Sequence, residues 1–251
     1  MRRALWIALV IVISLVGTTG AENAGARSKA VALTFDGGPS GFTSKIDRIL
    51  QRKHVRASFF WVGSRISGLE RIVRRVARQG HEIANHSWFH DDLTRLPAEE
   101  VRRQLARTNR RLSRLTGERP RVFRPPYGAV NGQVRAIAAD LRMRTVLWDA
   151  DSLDWTSPGC ETIAANVRER VRHRSIVLLH DGGGNRTQTV CALPRIIRDL
   201  RSRGYRFVTV SKLLRKRPRR ADAARSHAVA SPGYRWIVGH PVHPVRTGGE
   251  Q

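Results

Sequence analysis

His86 and His90 bracket the segment His86-Ser87-Trp88-Phe89-His90 and can bring two imidazoles onto one cation if the backbone turns helically between them. Taken alone, the same spacing also fits an ordinary surface turn. Other reactive residues sit in comparable places. Asp36 ends the apolar run that begins at Val31, and Arg124-Pro125-Pro126-Tyr127-Gly128 follows a second such run. Asp151-Ser152-Leu153-Asp154-Trp155 follows a third, and Leu178-Leu179-His180 closes a fourth. A carboxylate and an imidazole can divide the work of base and acid in a hydrolysis. A metal held by histidines can activate the attacking water. Each residue singly has a plain alternative: Asp36 as a turn or cap residue, Arg124 as a surface arginine, Trp155 as core, His180 as a hydrogen-bonded strand end.

These residues need strands that end on one side of a domain. Short apolar runs at 31–35, 57–62, 82–85, 122–124, 145–149, 176–180 and 206–210 read as strands. Between them, 43–53, 69–79, 97–115, 133–141, 161–172 and 193–203 carry helical periodicity. The helix over 97–115 has Pro97 at its start, Glu99 and Glu100 at its positive end, and Val101, Leu105, Leu112 and Leu115 on one stripe. Gly80 and Gly204 stand where helices should stop. Seven strands alternating with six helical segments predict a parallel α/β barrel, whose active site gathers at the carboxyl ends of the strands. No glycine-rich dinucleotide or phosphate-loop pattern competes with that reading.

The chain has 251 residues with 41% hydrophobic content, enough for one core. Arg2 and Arg3 precede an apolar run from Ala4 to Val16 and then Gly17-Thr18-Thr19-Gly20-Ala21, the layout of a secretory signal peptide over 1–21. An uncleaved membrane anchor is the alternative. Residues 28–214 form the expected catalytic domain, and the basic, proline- and glycine-rich segment 215–251 reads as a disordered tail. Export permits a disulfide between Cys160 and Cys191, both just downstream of strand ends, with two free thiols as the alternative. It would tie the Asp-Trp loop to the loop after His180. The net charge of +26 comes mostly from arginines spread over helical segments. Without a nucleic-acid motif this charge points to solvated helix faces and to contact with anionic cell-wall polymers, not to specific nucleic-acid binding.

With these motifs in order from Val31 to Val210, the chain resembles the polysaccharide deacetylases of carbohydrate esterase family 4, the NodB-homology group. The resemblance implies a distorted (β/α)7 barrel and hydrolysis of acetyl groups on sugar polymers, with a divalent metal activating water: zinc first, cobalt or nickel otherwise. Thr34-Phe35-Asp36-Gly37-Gly38-Pro39 is similar to the family's T-F-D-D-G-P segment and implies Asp36 as general base. His86 and His90 match its two metal histidines. Arg124 and Tyr127 match a segment whose arginine orients the base and whose tyrosine amide holds the oxyanion. Asp154 and Trp155 match the segment that orients the acid histidine and walls the groove. Leu178 and His180 match the leucine of the acetyl pocket and the general acid. Arg124 should depress the pKa of Asp36, and Asp154 should raise that of His180.

One position departs. Gly37 stands where the family has a second aspartate, the third metal ligand. The metal could keep the two histidines and extra water, Asp91 or Asp92 could substitute, or the metal could be held poorly. The resemblance therefore implies two outcomes. One is a secreted or wall-associated, monomeric N-deacetylase of peptidoglycan or chitin-type glycans. The other is a weak or inactive glycan-binding relative.

Overall fold

The computed structural model describes residues 29–215. The expected signal segment lies outside the described residues, as does the expected tail apart from Arg215. The centre is a parallel sheet of β1 (Lys29–Asp36), β2 (Ser58–Trp61), β3 (Glu82–Asn85), β4 (Val122–Phe123), β5 (Arg144–Thr145), β6 (Ala150–Asp151) and β7 (Ile176–His180). Their order is β5-β4-β3-β2-β1-β7-β6, and β8 (Tyr205–Phe207) pairs with the first residues of β1. The described helices are α1 (Gly41–Arg52), α2 (Glu70–Arg78), α3 (Ala98–Thr116), α4 (Gly132–Asp140), α5 (Cys160–Arg170), α6 (Thr187–Ser202) and α7 (Val210–Leu214). No ladder joins β5 to β6, so the sheet curls into a half-barrel, the distorted form of the (β/α)7 fold.

Alternation along β1 separates two cores. Val31, Leu33 and Phe35 turn outward under the helices, where they join Ile46, Leu50, Val73, Leu193 and Ile196. Ala30 and Ala32 turn inward and join Phe60, Ala84, Val122, Val146, Val210 and Leu213 in a second cluster, to which α7 contributes two members. Full burial of each large aliphatic side chain contributes about 1.5–3 kcal/mol. Local signals set the helix ends. Ser40 and Thr43 form a reciprocal capping box at α1, and the Asn131 side chain accepts from Val134 N at α4. Gly80, at φ 79°, follows α2 in the left-handed conformation that ends a helix cheaply.

Three expectations need correction. Residues 145–149 are not one strand. Val146 N donates to Phe123 O while Asp149 N donates to Ile176 O, so this segment changes partners across the open seam and leaves only two short strands, β5 and β6. The expected strand over 206–210 is β8, ending at Phe207, and Val210 instead opens α7 with its N–H on Ser58 Oγ. Finally, α6 begins at Thr187, well before 193, and keeps Pro194 inside it.

Cys160 and Cys191 are joined, with Cα atoms 5.7 Å apart. Because α6 starts early, the bridge ties helix α5 to helix α6 rather than loop to loop.

Candidate active site

Asp36 ends β1 and His180 ends β7, and the two are register partners on adjacent parallel strands. Their side chains therefore share the inner face at the carboxyl edge of the sheet. Arg124 follows β4 and is completely buried. It reaches across the half-barrel, with Nη1 donating to Asp36 Oδ1 at 2.7 Å and to Thr34 Oγ1 at 2.8 Å. Nη2 donates to Leu147 O at 3.1 Å, and the guanidinium lies 4.2 Å above the Phe60 ring. The expectation that Arg124 depresses the Asp36 pKa is only half right. Burial pushes it up, and the opposing attraction of Arg124 does not fully offset this, so the carboxyl stays above the ordinary aspartate range. That is a stronger base than a solvated aspartate.

His180 is held by Asp154 as expected. Its Nδ1 lies 2.7 Å from Asp154 Oδ1, and its backbone N–H donates to Asp154 Oδ2 at 2.8 Å. Thr189 on α6 donates its hydroxyl to the same Oδ2 at 2.7 Å. Burial disfavours the imidazolium, but the hydrogen bond and charge of Asp154 outweigh it and the His180 pKa is raised. With Nδ1–H on the carboxylate, Nε2 is the ring nitrogen left for proton transfer.

His86 and His90 also come together, with ring centroids 4.9 Å apart, although not through a helical turn. Ser87 and His90 instead take left-handed conformations, φ 65° and 72°. Side chains hold this kink: Ser87 N donates to Asn85 Oδ1, His90 N to Ser87 Oγ, and Thr108 Oγ1 to Ser87 O. His86 Nδ1 lies 2.7 Å from Arg124 O and so carries the proton, turning Nε2 toward Asp36 Oδ2 at 3.9 Å. Burial lowers the pKa of both rings to about 3, which keeps them neutral.

This donor set does not fit a resident divalent metal with three protein ligands. Among the described residues no group of three histidine, cysteine or acidic side chains could hold one. Gly37 supplies no ligand, and the point where its Cβ would lie is 3.5 Å from Arg65 Nη1, a cation rather than a donor. Nor do the two candidate substitutes fill the gap. Asp91 accepts from Gln104 Nε2, while Asp92 accepts from Thr94 and pairs with Arg95.

Tyr127 has φ 60° and is 59% exposed, with its ring edge-on to His90 at 4.8 Å. Trp155 is 52% exposed beside Asp154. Leu178 shares the inner face with His180 and is almost wholly buried. Sequence reading missed Thr189, Arg65, Arg186 and Asp181. Asp181 lies under the Gly37-Gly38 turn, accepting from Gly38 N, Thr43 Oγ1 and Trp61 Nε1, and burial pushes its pKa up to about 6. Its place beside His180 at a strand end was the one signal available for it.

The family model for polysaccharide deacetylases matches residues 23–146. A peptidoglycan-N-acetylglucosamine deacetylase of Bacillus cereus is 38% identical over 192 residues, covering 75% of this chain and 90% of that protein. The structure of the peptidoglycan deacetylase PdaC of Bacillus subtilis is 35% identical with a TM-score of 0.69, over 74% of this chain and 90% of that one. A Bacillus anthracis pseudoenzyme of carbohydrate esterase family 4 is 30% identical with a TM-score of 0.71, over 75% of this chain and 66% of that one. The family-model match takes in Asp36, His86, His90 and Arg124, and by these likenesses this chain belongs to the polysaccharide deacetylase family.

Proposed function

We propose that this chain is an exported deacetylase that hydrolyses N-acetyl groups on amino-sugar polymers, peptidoglycan first and chitin-type oligomers second. The observation that carries the reading is the opposed pair on adjacent strands: Asp36 held by Arg124, and His180 held by Asp154 and Thr189. Asp36 takes a proton from water as its oxygen attacks the acetyl carbonyl. His180 Nε2 gives a proton to the nitrogen as the C–N bond breaks, leaving acetate and a free amine. The Tyr127 amide is the donor for the oxyanion, Leu178 borders the acetyl methyl, and the exposed Trp155 indole walls the glycan groove. His86 and His90 are neutral acceptors beside the base, suited to holding polar groups there.

The substrate is the partner this reading requires, and a single chain carries every residue named. Export and wall association follow from reading 1–21 as a signal segment, and the net charge of +26 suits an anionic wall. A second reading, a glycan-binding relative with little turnover, is favoured by Gly37 and by the similarity to a pseudoenzyme. Acetate release from a panel of acetylated peptidoglycan and chitin-type oligomers tests the first reading, with mass spectrometry locating the lost acetyl group. Loss of acetyl from an amino sugar by wild type, abolished in Asp36→Asn, supports it. Binding of the same oligomers without any acetate would leave only the second.

A further inference from the structure

Gly37 and Arg65 are complementary. Gly37 has φ 82°, and a Cβ built there would lie 3.4 Å from the Gly182 backbone and 3.5 Å from Arg65 Nη1. A carboxylate on that Cβ would come within ion-pair reach of the guanidinium. In its absence, Arg65 donates to the carbonyl oxygen of Gly37. Arg186, only 7% exposed, holds the other side of the same loop, with Nε donating to Gly182 O at 2.9 Å and Nη2 to Gly183 O at 3.0 Å. A Cβ at Gly183 would sit 3.4 Å from Arg65 Nη1 and 3.8 Å from Arg186 Nη2, so two guanidinium groups flank one glycine.

Neither arginine has a carboxylate partner among the described residues. The acids in this part of the fold are already engaged: Asp36 by Arg124, Asp154 by His180 and Thr189, and Asp181 by Gly38 N, Thr43 and Trp61. The fields of Asp154 and Asp181 act on Arg186 more strongly than Arg65 does, but neither carboxylate contacts a guanidinium, and the two arginines still repel each other. An oxyanion between them removes that repulsion and takes up their unused N–H donors, and a guanidinium fork suits the two oxygens of a carboxylate. Glycines at 37 and 183 leave the approach clear of side chains.

We propose that Arg65 and Arg186 form an oxyanion site at the edge of the catalytic pocket, which takes the carboxylate of an acidic acetylated amino sugar. The place that lost a cation ligand thereby becomes a place that selects an anionic substrate. This rests on the glycan reading of the pocket and narrows it to sugars such as one carrying a lactyl ether carboxylate.

Isothermal titration of the full chain with two probes tests it. One is a disaccharide of N-acetylglucosamine and N-acetylmuramic acid with its carboxylate free; the other is the same disaccharide with that carboxyl reduced to an alcohol. Wild type should bind the acidic form about tenfold more tightly or better, in keeping with a charge-assisted pair. Arg65→Gln should abolish the preference without lowering the melting temperature, since Arg65 is exposed. Gly37→Asp, if folded by circular dichroism, should weaken the preference by offering Arg65 an internal carboxylate. Equal binding of the two probes by wild type, no binding of either, or an undiminished preference in Arg65→Gln overturns the proposal. A clear preference without acetate release would instead retain this site and remove the deacetylase reading.

Discussion

Replacing Arg124 with methionine removes the buried cation bonded to Asp36 while keeping most of the packing volume. The pair is inaccessible on both sides, with side-chain exposures of 0% and 4%, and its contact is 2.7 Å. Removing one partner of a buried ion pair leaves an uncompensated charge and costs about 3–5 kcal/mol. The loss should therefore be of that size at pH 7. It should shrink as pH falls, and the sign follows from linkage. The Asp36 pKa is already raised by burial, and without Arg124 it climbs further. The folded state then binds a proton that the unfolded carboxyl releases, so lowering the pH through this window stabilises the variant relative to wild type. Adding Asp36→Asn should recover most of the loss at pH 7, because a neutral amide needs no counter-ion. Urea denaturation of wild type, both single variants and the double variant, at pH 7 and at pH 5, measures the cycle. If Arg124→Met lies within about 1 kcal/mol of wild type at pH 7, below the range expected for a broken buried pair, the pair does not anchor the base. Failure of Asp36→Asn to restore stability would refute the charge argument itself.

Asp154→Asn removes the charge that raises the His180 pKa, so the alkaline limb of the pH–rate profile should move to lower pH. An unmoved limb would mean that His180 is not the acid. Replacing Cys160 and Cys191 together with alanine opens a loop spanning a separation of 31 residues. Chain entropy puts the cost at about 3–4 kcal/mol, measurable by denaturation of the oxidised wild type against the double variant. A difference below about 1 kcal/mol would mean that the bridge adds little to the fold, against the chain-entropy estimate.

The strands that carry Asp36, His86, Arg124 and His180 were legible because each is an apolar run ending in a polar group, and alternation fixes which face that group takes. The seam at 145–149 was not legible. Its residues look strand-like, yet their hydrogen bonds go to two different neighbours, a choice made by closure of the sheet rather than by local sequence. The histidine turn was half legible. Spacing indicated convergence, but Asn85, Ser87 and Thr108 create it through side-chain bonds that no periodicity predicts. The direction of the Asp36 pKa depended on how far burial outweighs a single arginine, which a list of neighbours does not reveal. Arg65 looked like any other arginine of this strongly basic chain, because its importance comes from the side chain missing at Gly37.

The proposed chemistry requires that Asp36 and His180 perform hydrolysis rather than merely line a binding groove. The direct measurement pairs acetate release with binding of an acetylated peptidoglycan oligomer for wild type and His180→Gln. Wild type should release many equivalents of acetate per chain, whereas His180→Gln should bind the oligomer with similar affinity and release almost none. Equal binding by both proteins, with no acetate from either, would contradict it and leave the chain a binder of glycans.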